Sequence, residues 1–337
     1  MTPRYGFNFQ WMFVWRGSPP MPPDERALDF LGSYGFDFAR VPTDYRFWIR
    51  DFDYLNPDET VFQFLDDYLA ACRARGIHTC LNLHRAPGYC INRNDLERDN
   101  LWLDEVAQDG FVFQWETFAR RYKGVSNAHL SFDLLNEPPD INQYGMTRQN
   151  HAAVIRRTVA AIRAIDPGRE IVIDGLGGGS LAMPELADLD VVHSGRGYQP
   201  MPVSHYQASW WVGSKGLPEP VYPGTPWDGK KWDKRVLREH YQPWREVEAQ
   251  GVQVHIGEFG CYNRTPNDVA LRWFGDLFSL FKAFKWGYSM WNFVGPFGIV
   301  EHGRPGAKYE NVQGYKVDRA LLDLLLESRV SQEEEAE

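Results

Sequence analysis

The chain reads as an α/β protein, a single (β/α)8 barrel of the TIM type, and three observations point there. Eight short apolar runs alternate with segments of helical periodicity. The alternation spans more than 300 of the 337 residues without a linker-like stretch. The first run leads into Gln10-Trp11-Met12-Phe13-Val14-Trp15 and not into the glycine-rich phosphate loop that a doubly wound sheet carries at that place.

The elements follow in order. YGFNF (5–9) is a first strand and 23–34 a helix. FDFARV (36–41) is a second strand, followed by a helix over 61–75 that Gly76 ends. IHTCLNLH (77–84) is a third strand and 104–123 a helix with Asp104 at its N-cap. LSFDLLNE (130–137) is a fourth strand. The clearest amphipathic helix covers 147–165, because Val154, Ile155, Thr158, Val159, Ile162 and Ile165 recur at helical spacing and Asp166-Pro167-Gly168 closes it. EIVID (170–174) is strand five, strand six lies in 191–198, and a helix runs over 234–250. VQVHIGE (252–258) is strand seven, 269–284 is helical, 286–291 is strand eight, and 319–328 is the last helix. Gly177-Gly178-Gly179 lacks dinucleotide-loop spacing and reads as a flexible loop. One catalytic domain over 1–330 and a charged tail over 331–337, without predicted structure, complete the organisation.

Composition narrows the function. The formal charge of −9 disfavours a nucleic-acid surface, which requires a basic face. No run is long and apolar enough to span a membrane. The first residues, MTPRYGFNFQ, lack a basic start with an apolar core, so a cytoplasmic protein is expected. Of the four cysteines, Cys72 and Cys80 fall in a helix and a strand as core thiols, whereas Cys90 and Cys261 fall in loops where they could meet. No CxxC pair suggests zinc, and no metal or cofactor is expected. Thirteen tryptophans exceed ordinary core needs; a generously aromatic core and a sugar-binding cleft both account for them.

Polar residues collect at the strand ends: Asn8, Arg40, His84, Asn136 with Glu137, Tyr198, Glu258 and, on strand eight, Trp291. In a barrel the C-terminal strand ends meet at one rim, so these positions converge on one cleft. Two carboxylates from strands four and seven then face each other. Glycoside hydrolysis needs that pair: one acid protonates the leaving oxygen while the other faces the anomeric carbon. A separation of about 5–5.5 Å lets the second attack directly and retain configuration. In DLLNEPPD (133–140), Pro138 and Pro139 cannot donate ladder hydrogen bonds and would end strand four just past Glu137.

Arg40-Val41-Pro42, Leu81-Asn82-Leu83-His84, Asn136-Glu137-Pro138, Gly257-Glu258-Phe259-Gly260 and WNFVGPFGIV (291–300), in this order, resemble glycoside hydrolase family 5, the cellulase family. The resemblance implies Glu137 as acid/base and Glu258 as nucleophile, with Asn136 holding the 2-hydroxyl of the −1 sugar. It implies Arg40 beside Glu258, favouring its ionised form, Tyr198 donating to Glu258, His84 contacting substrate or orienting neighbours, and Trp291 as the sugar's stacking floor. The chain departs from the family at Arg196, where His-x-Tyr is usual. Arg196 is expected to read a substrate group or tune the site; the alternative is an ion pair with Glu137 or Asp140. The segment 199–233, with Trp210, Trp211, Trp227 and Trp232, is expected to wall or cover the cleft, and 85–94 to form another wall. The expected substrate is a β-1,4-linked manno- or gluco-oligosaccharide. Its enzyme would be an exo-acting or oligosaccharide-specific β-mannosidase for Manβ1-4GlcNAc-type substrates. An endo-β-1,4-glucanase and a non-catalytic carbohydrate-binding barrel are the alternatives.

Overall fold

The computed structural model describes residues 2–14 and 16–330, so Trp15 and the predicted tail 331–337 lie outside the described residues. Eight parallel strands close into a barrel: Tyr5–Asn8, Phe38–Asp44, His78–Arg85, Leu130–Asp133, Ile171–Asp174, Val192–Gly197, Val254–Phe259 and Gly287–Met290. They are strands one to eight below. Strand eight pairs with strand one, so the sheet has no edge.

Each strand is apolar on its outer face because helices cover it. Phe7, Val41, Leu83, Phe132, Ile173, Ile256 and Met290 share one core with the helical layer. The helix Asn267–Phe284 buries nine residues from Val269 to Phe284, at roughly 1.5–3 kcal/mol for each large apolar side chain. Helix starts are fixed by side-chain caps: Asp24 accepts from the Ala27 N–H, and Thr147 and Asn150 form a reciprocal capping box. Asp104 sits at the predicted N-cap position but turns back to accept from the Asn100 N–H at 2.7 Å.

The structure departs from the sequence expectations at four places. Strand four stops at Asp133, four residues earlier than predicted, so the prolines do not terminate its ladder. Leu134 and Leu135 stay buried, and single bonds (Leu134 N–H to Val172 O, Asn136 N–H to Leu83 O, both 3.0 Å) carry the chain to the rim. The helix expected over 234–250 is two, Lys234–His240 and Gln242–Glu248, broken next to Pro243. The triple glycine is a defined turn whose three residues have φ of 60–79°, the left-handed region glycine tolerates. All four cysteines are free and buried, so Cys90 and Cys261 do not pair.

The barrel interior is layered. Phe38, Cys80 and Val172, with Val192, form a small apolar plug low in the barrel. Above it lies a layer of buried polar and charged side chains: Asn8, Arg40, Asp133, Asn136, Asp174 and Arg196. This layer is the floor of the site.

Candidate active site

A cleft of about 800 Å³ opens at the C-terminal rim. Glu137, Glu258, Tyr198, His84, Trp291 and Trp210 line it, so these predicted residues do converge. Asn8, Arg40, Asn136 and Arg196 lie beneath them and are at most 2% exposed.

Arg40, on strand two, organises the floor. It donates to Glu258 at 2.5 Å, Asp133 at 2.7 Å, the side-chain oxygen of Asn136 at 2.8 Å and that of Asn8 at 2.9 Å. Asn8 in turn donates to the Gly257 carbonyl at 3.0 Å, tying strand one to the segment that carries Glu258. Tyr198 also holds the Glu258 carboxylate, its hydroxyl donating at 3.1 Å.

Arg196 is directly opposite Glu258 in the pairing of strands six and seven. Its guanidinium donates to Glu137 at 2.9 Å, to the Asn136 side-chain oxygen at 3.0 Å and to both oxygens of Asp174, and it reaches Glu258 at 3.5 Å. With its side chain 1% exposed and absent from the cleft wall, it contacts Glu137 from beneath, where its charge tunes that carboxyl group. Asp140, the other partner considered, is exposed. Two glycines leave room for the arginine: a Cβ at Gly179 would fall 2.3 Å from its Cγ, and one at Gly257 2.8 Å from a terminal nitrogen.

The Glu137 backbone is held in the left-handed region, φ 47°, where non-glycine residues are uncommon. The surroundings over-determine that conformation. Its N–H donates to Asp174 at 3.0 Å, and its carbonyl accepts from the Tyr89 hydroxyl at 2.7 Å. The carbonyls of Pro138 and Pro139 accept from the N–H groups of Gly178 and Gly177 at 3.0 Å each. The two prolines therefore serve as anchoring points for the glycine turn.

Because both arginines can only donate, the Asn136 oxygen must face them, which leaves its buried amide nitrogen without a protein acceptor. On the opposite wall His84 stacks on Trp291 with centroids 5.7 Å apart, and Phe13 packs edge-on to both. Burial, with Arg40, Arg196 and Arg85 nearby, holds His84 neutral, well below the usual imidazole range. Trp210, 55% exposed, stands against Tyr262 on the cleft rim. Trp211 is not in the cleft; its ring packs against Trp227 and His205. The segment 85–94 does form a wall, through Arg85, Cys90, Asn92 and Arg93.

The floor joins two cations, Arg40 and Arg196, to four carboxyl groups, Asp133, Glu137, Asp174 and Glu258. Two negative charges are thus left uncompensated if all four ionise, and burial makes that costly. Burial and the neighbouring Glu258 push Glu137 up to about 7, against the pull of Arg196. Burial and Asp174 push Asp133 up to about 7 as well. Asp174 is also pushed up by burial, but its contacts with Arg196 and Arg40 prevail and hold it below the usual carboxylate range. A protonated acid and a charge-paired carboxylate thus face one cleft, which is the division of labour that acid-assisted substitution at an acetal requires. Among the described residues no cluster of His, Cys, Asp or Glu could hold a metal ion.

Asp133 and Asp174 were not singled out by sequence, although Asp174 closes strand five at the same rim level as the predicted residues. In the sequence Asp133 reads as an ordinary residue of strand four.

Residues 4–295 match the family described as "Cellulase (glycosyl hydrolase family 5)". Endoglucanase C of Acetivibrio thermocellus is 28% identical over 297 residues, covering 80% of this chain and 83% of its own. A solved structure described as a glycoside hydrolase is 71% identical, covers 98% of this chain and 100% of its own, and superposes with a TM-score of 0.97. Cel5A of Thermotoga maritima, solved in complex with cellobiose, shares the fold at 20% identity and a TM-score of 0.75, over 96% of each chain.

Proposed function

The chain belongs to the cellulase family, glycosyl hydrolase family 5, whose members are retaining glycosidases with two catalytic glutamates, and on that premise we propose that it is an endo-acting β-1,4-glucan hydrolase in which Glu137 is the acid/base and Glu258 the nucleophile. The observation that carries the assignment is the setting of the two glutamates: Arg40 and Tyr198 donate to Glu258, while burial and the neighbouring Glu258 push Glu137 up to about 7.

Two displacements follow. Glu258, fixed by Arg40 and Tyr198, attacks the anomeric carbon as the C–O bond to the leaving sugar breaks. Glu137 gives its proton to the departing oxygen. A glycosyl ester on Glu258 results. Glu137, now ionised, takes a proton from water, and that water attacks the same carbon, releasing Glu258 and restoring the β configuration. The free Asn136 amide donates to the 2-hydroxyl of the −1 sugar, and Trp291 offers an apolar face for its ring. No step needs a metal.

Similarity to endoglucanase C supports a glucan chain and internal cleavage over the exo-acting β-mannosidase expected from sequence. Parallel assays of viscosity and reducing ends on soluble β-glucan, mannan and xylan test this. Viscosity of the glucan should collapse while few ends have formed. Monosaccharide as the sole early product, or turnover of manno-oligosaccharides alone, would overturn the reading.

A further inference from the structure

The segment 199–233 does not simply wall the catalytic cleft. Trp210 faces the cleft, but the chain then turns outward into a hairpin, Thr225–Trp227 against Lys230–Trp232. The hairpin, the turn after strand five and the paired helices after it enclose a second cavity of about 610 Å³. That size falls within the roughly 300–1,000 Å³ of small-ligand sites.

Its lining combines an apolar face with acceptors. Trp232 is buried, and its indole N–H donates to the Trp227 carbonyl at 3.0 Å, which fixes the hairpin. Trp227 is half-buried and held edge-on by Trp211, with centroids 5.6 Å apart and planes at 72°. Leu181, 39% exposed, stands at the opposite rim. Gln199 also lines the cavity, and Asp228, Glu239 and Glu246 supply carboxylate acceptors along it.

The chemistry of the lining selects the ligand. A purely apolar molecule would desolvate the carboxylates of Asp228, Glu239 and Glu246 without replacing their hydrogen bonds. An anion would meet Asp228, Glu239 and Glu246, while Arg148, the cation of the lining, is already paired with Glu185. A neutral ring with an apolar C–H face and peripheral hydroxyls satisfies both the tryptophan and the acceptors. The cavity is also tied to the cleft. Gln199 follows Tyr198, the donor to Glu258, and Trp211 spans from His205, which lines the cleft, to Trp227.

We infer that this cavity is a second carbohydrate site, holding a pyranose unit of a β-linked chain outside the catalytic cleft, with Trp227 as the stacking platform and the carboxylates of Asp228, Glu239 and Glu246 as acceptors for its hydroxyls. The inference rests on the reading of the substrate as a polysaccharide.

The test is affinity electrophoresis in gels containing soluble β-glucan, mannan or xylan, with Glu137→Gln protein so that the polymer stays intact. Trp227→Ala in that background should weaken binding to the retarding polymer roughly tenfold, the loss of one aromatic anchor. Leu181→Glu, which places a charge at the rim, should act likewise and guards against a folding defect in the first variant. With Glu137 intact, Trp227→Ala should leave kcat/KM on an aryl β-cellobioside unchanged. Retardation by no polymer, equal retardation of all proteins, or a parallel fall on the aryl substrate would overturn the second site. Tryptophan-dependent retardation without cleavage of any polymer would instead sink the proposed function and leave the second site standing.

Discussion

Replacing Arg196 and replacing Asp174 should move the alkaline limb of activity in opposite directions. Arg196 donates to Glu137 at 2.9 Å, which places the charge centres roughly 4 Å apart. At an effective dielectric of about 20 the attraction is about 4 kcal/mol, or about 3 pH units of Glu137 ionisation. Part of this is cancelled when Arg196 is removed, because the buried Asp174 then holds a proton and ceases to raise its neighbour. A net rise of about one unit is expected for Arg196→Gln. In Asp174→Asn the arginine keeps its charge and loses its main anion, so Glu137 falls by about one unit. A general acid works protonated, so kcat/KM declines as pH rises through its value in the free enzyme, about 7 here. The assay is kcat/KM against pH on an unactivated β-glucan, where leaving-group protonation is needed. Arg196→Lys keeps the charge and should leave the limb in place while lowering kcat through lost geometry. Because breaking a buried pair costs about 3–5 kcal/mol, melting curves must show each variant folded at the assay temperature. Limbs that move in the same direction, or not at all, would refute the coupling.

Other outcomes follow from the same geometry. Tyr198→Phe removes one donor from Glu258 and should lower kcat by about ten- to a hundredfold, the value of about 1.5–3 kcal/mol for a hydrogen bond to a charged group. Gly179→Ala places a methyl against the Arg196 side chain at φ 79°. It should destabilise the fold by about 1–3 kcal/mol in urea and reduce activity together with it. Glu137 has its folded-state value raised, so its contribution to stability is complete below the ordinary carboxylate range, near 4.5, and is lost as pH rises through about 7. Glu137→Gln should accordingly gain on the native protein between those limits, by up to about 3 kcal/mol. Melting temperatures at both ends of the window check it.

The barrel and its rim were legible because periodicity reports which face is buried and strand ends share one rim. Glu137 and Glu258 could be named for that reason. Asp133 and Asp174 were not legible as part of the site, since an acid within or closing an apolar strand has the same sequence signature whether it is a solvated strand end or a counter-ion. Only the register of strands two, four, five and six shows them facing Arg40 and Arg196. Arg196 was visible as a departure from its family, but its direction was not: the space left by Gly179 and Gly257 lets it lie beneath the cleft against Glu137, Asp174 and Asn136. Trp211 and Trp210 are adjacent and chemically alike, and the turn between them sends one to the cleft and the other to the outer hairpin.

The assignment of the two glutamates is tested most directly by azide rescue with product stereochemistry. Glu258→Gly should be inactive and, with an activated aryl β-glycoside and azide, should yield the α-glycosyl azide, because azide enters the space left by the nucleophile. Glu137→Gly should yield the β-glycosyl azide, formed on the far side of an intact glycosyl ester. The reverse pairing of variants and anomers would contradict the assignment.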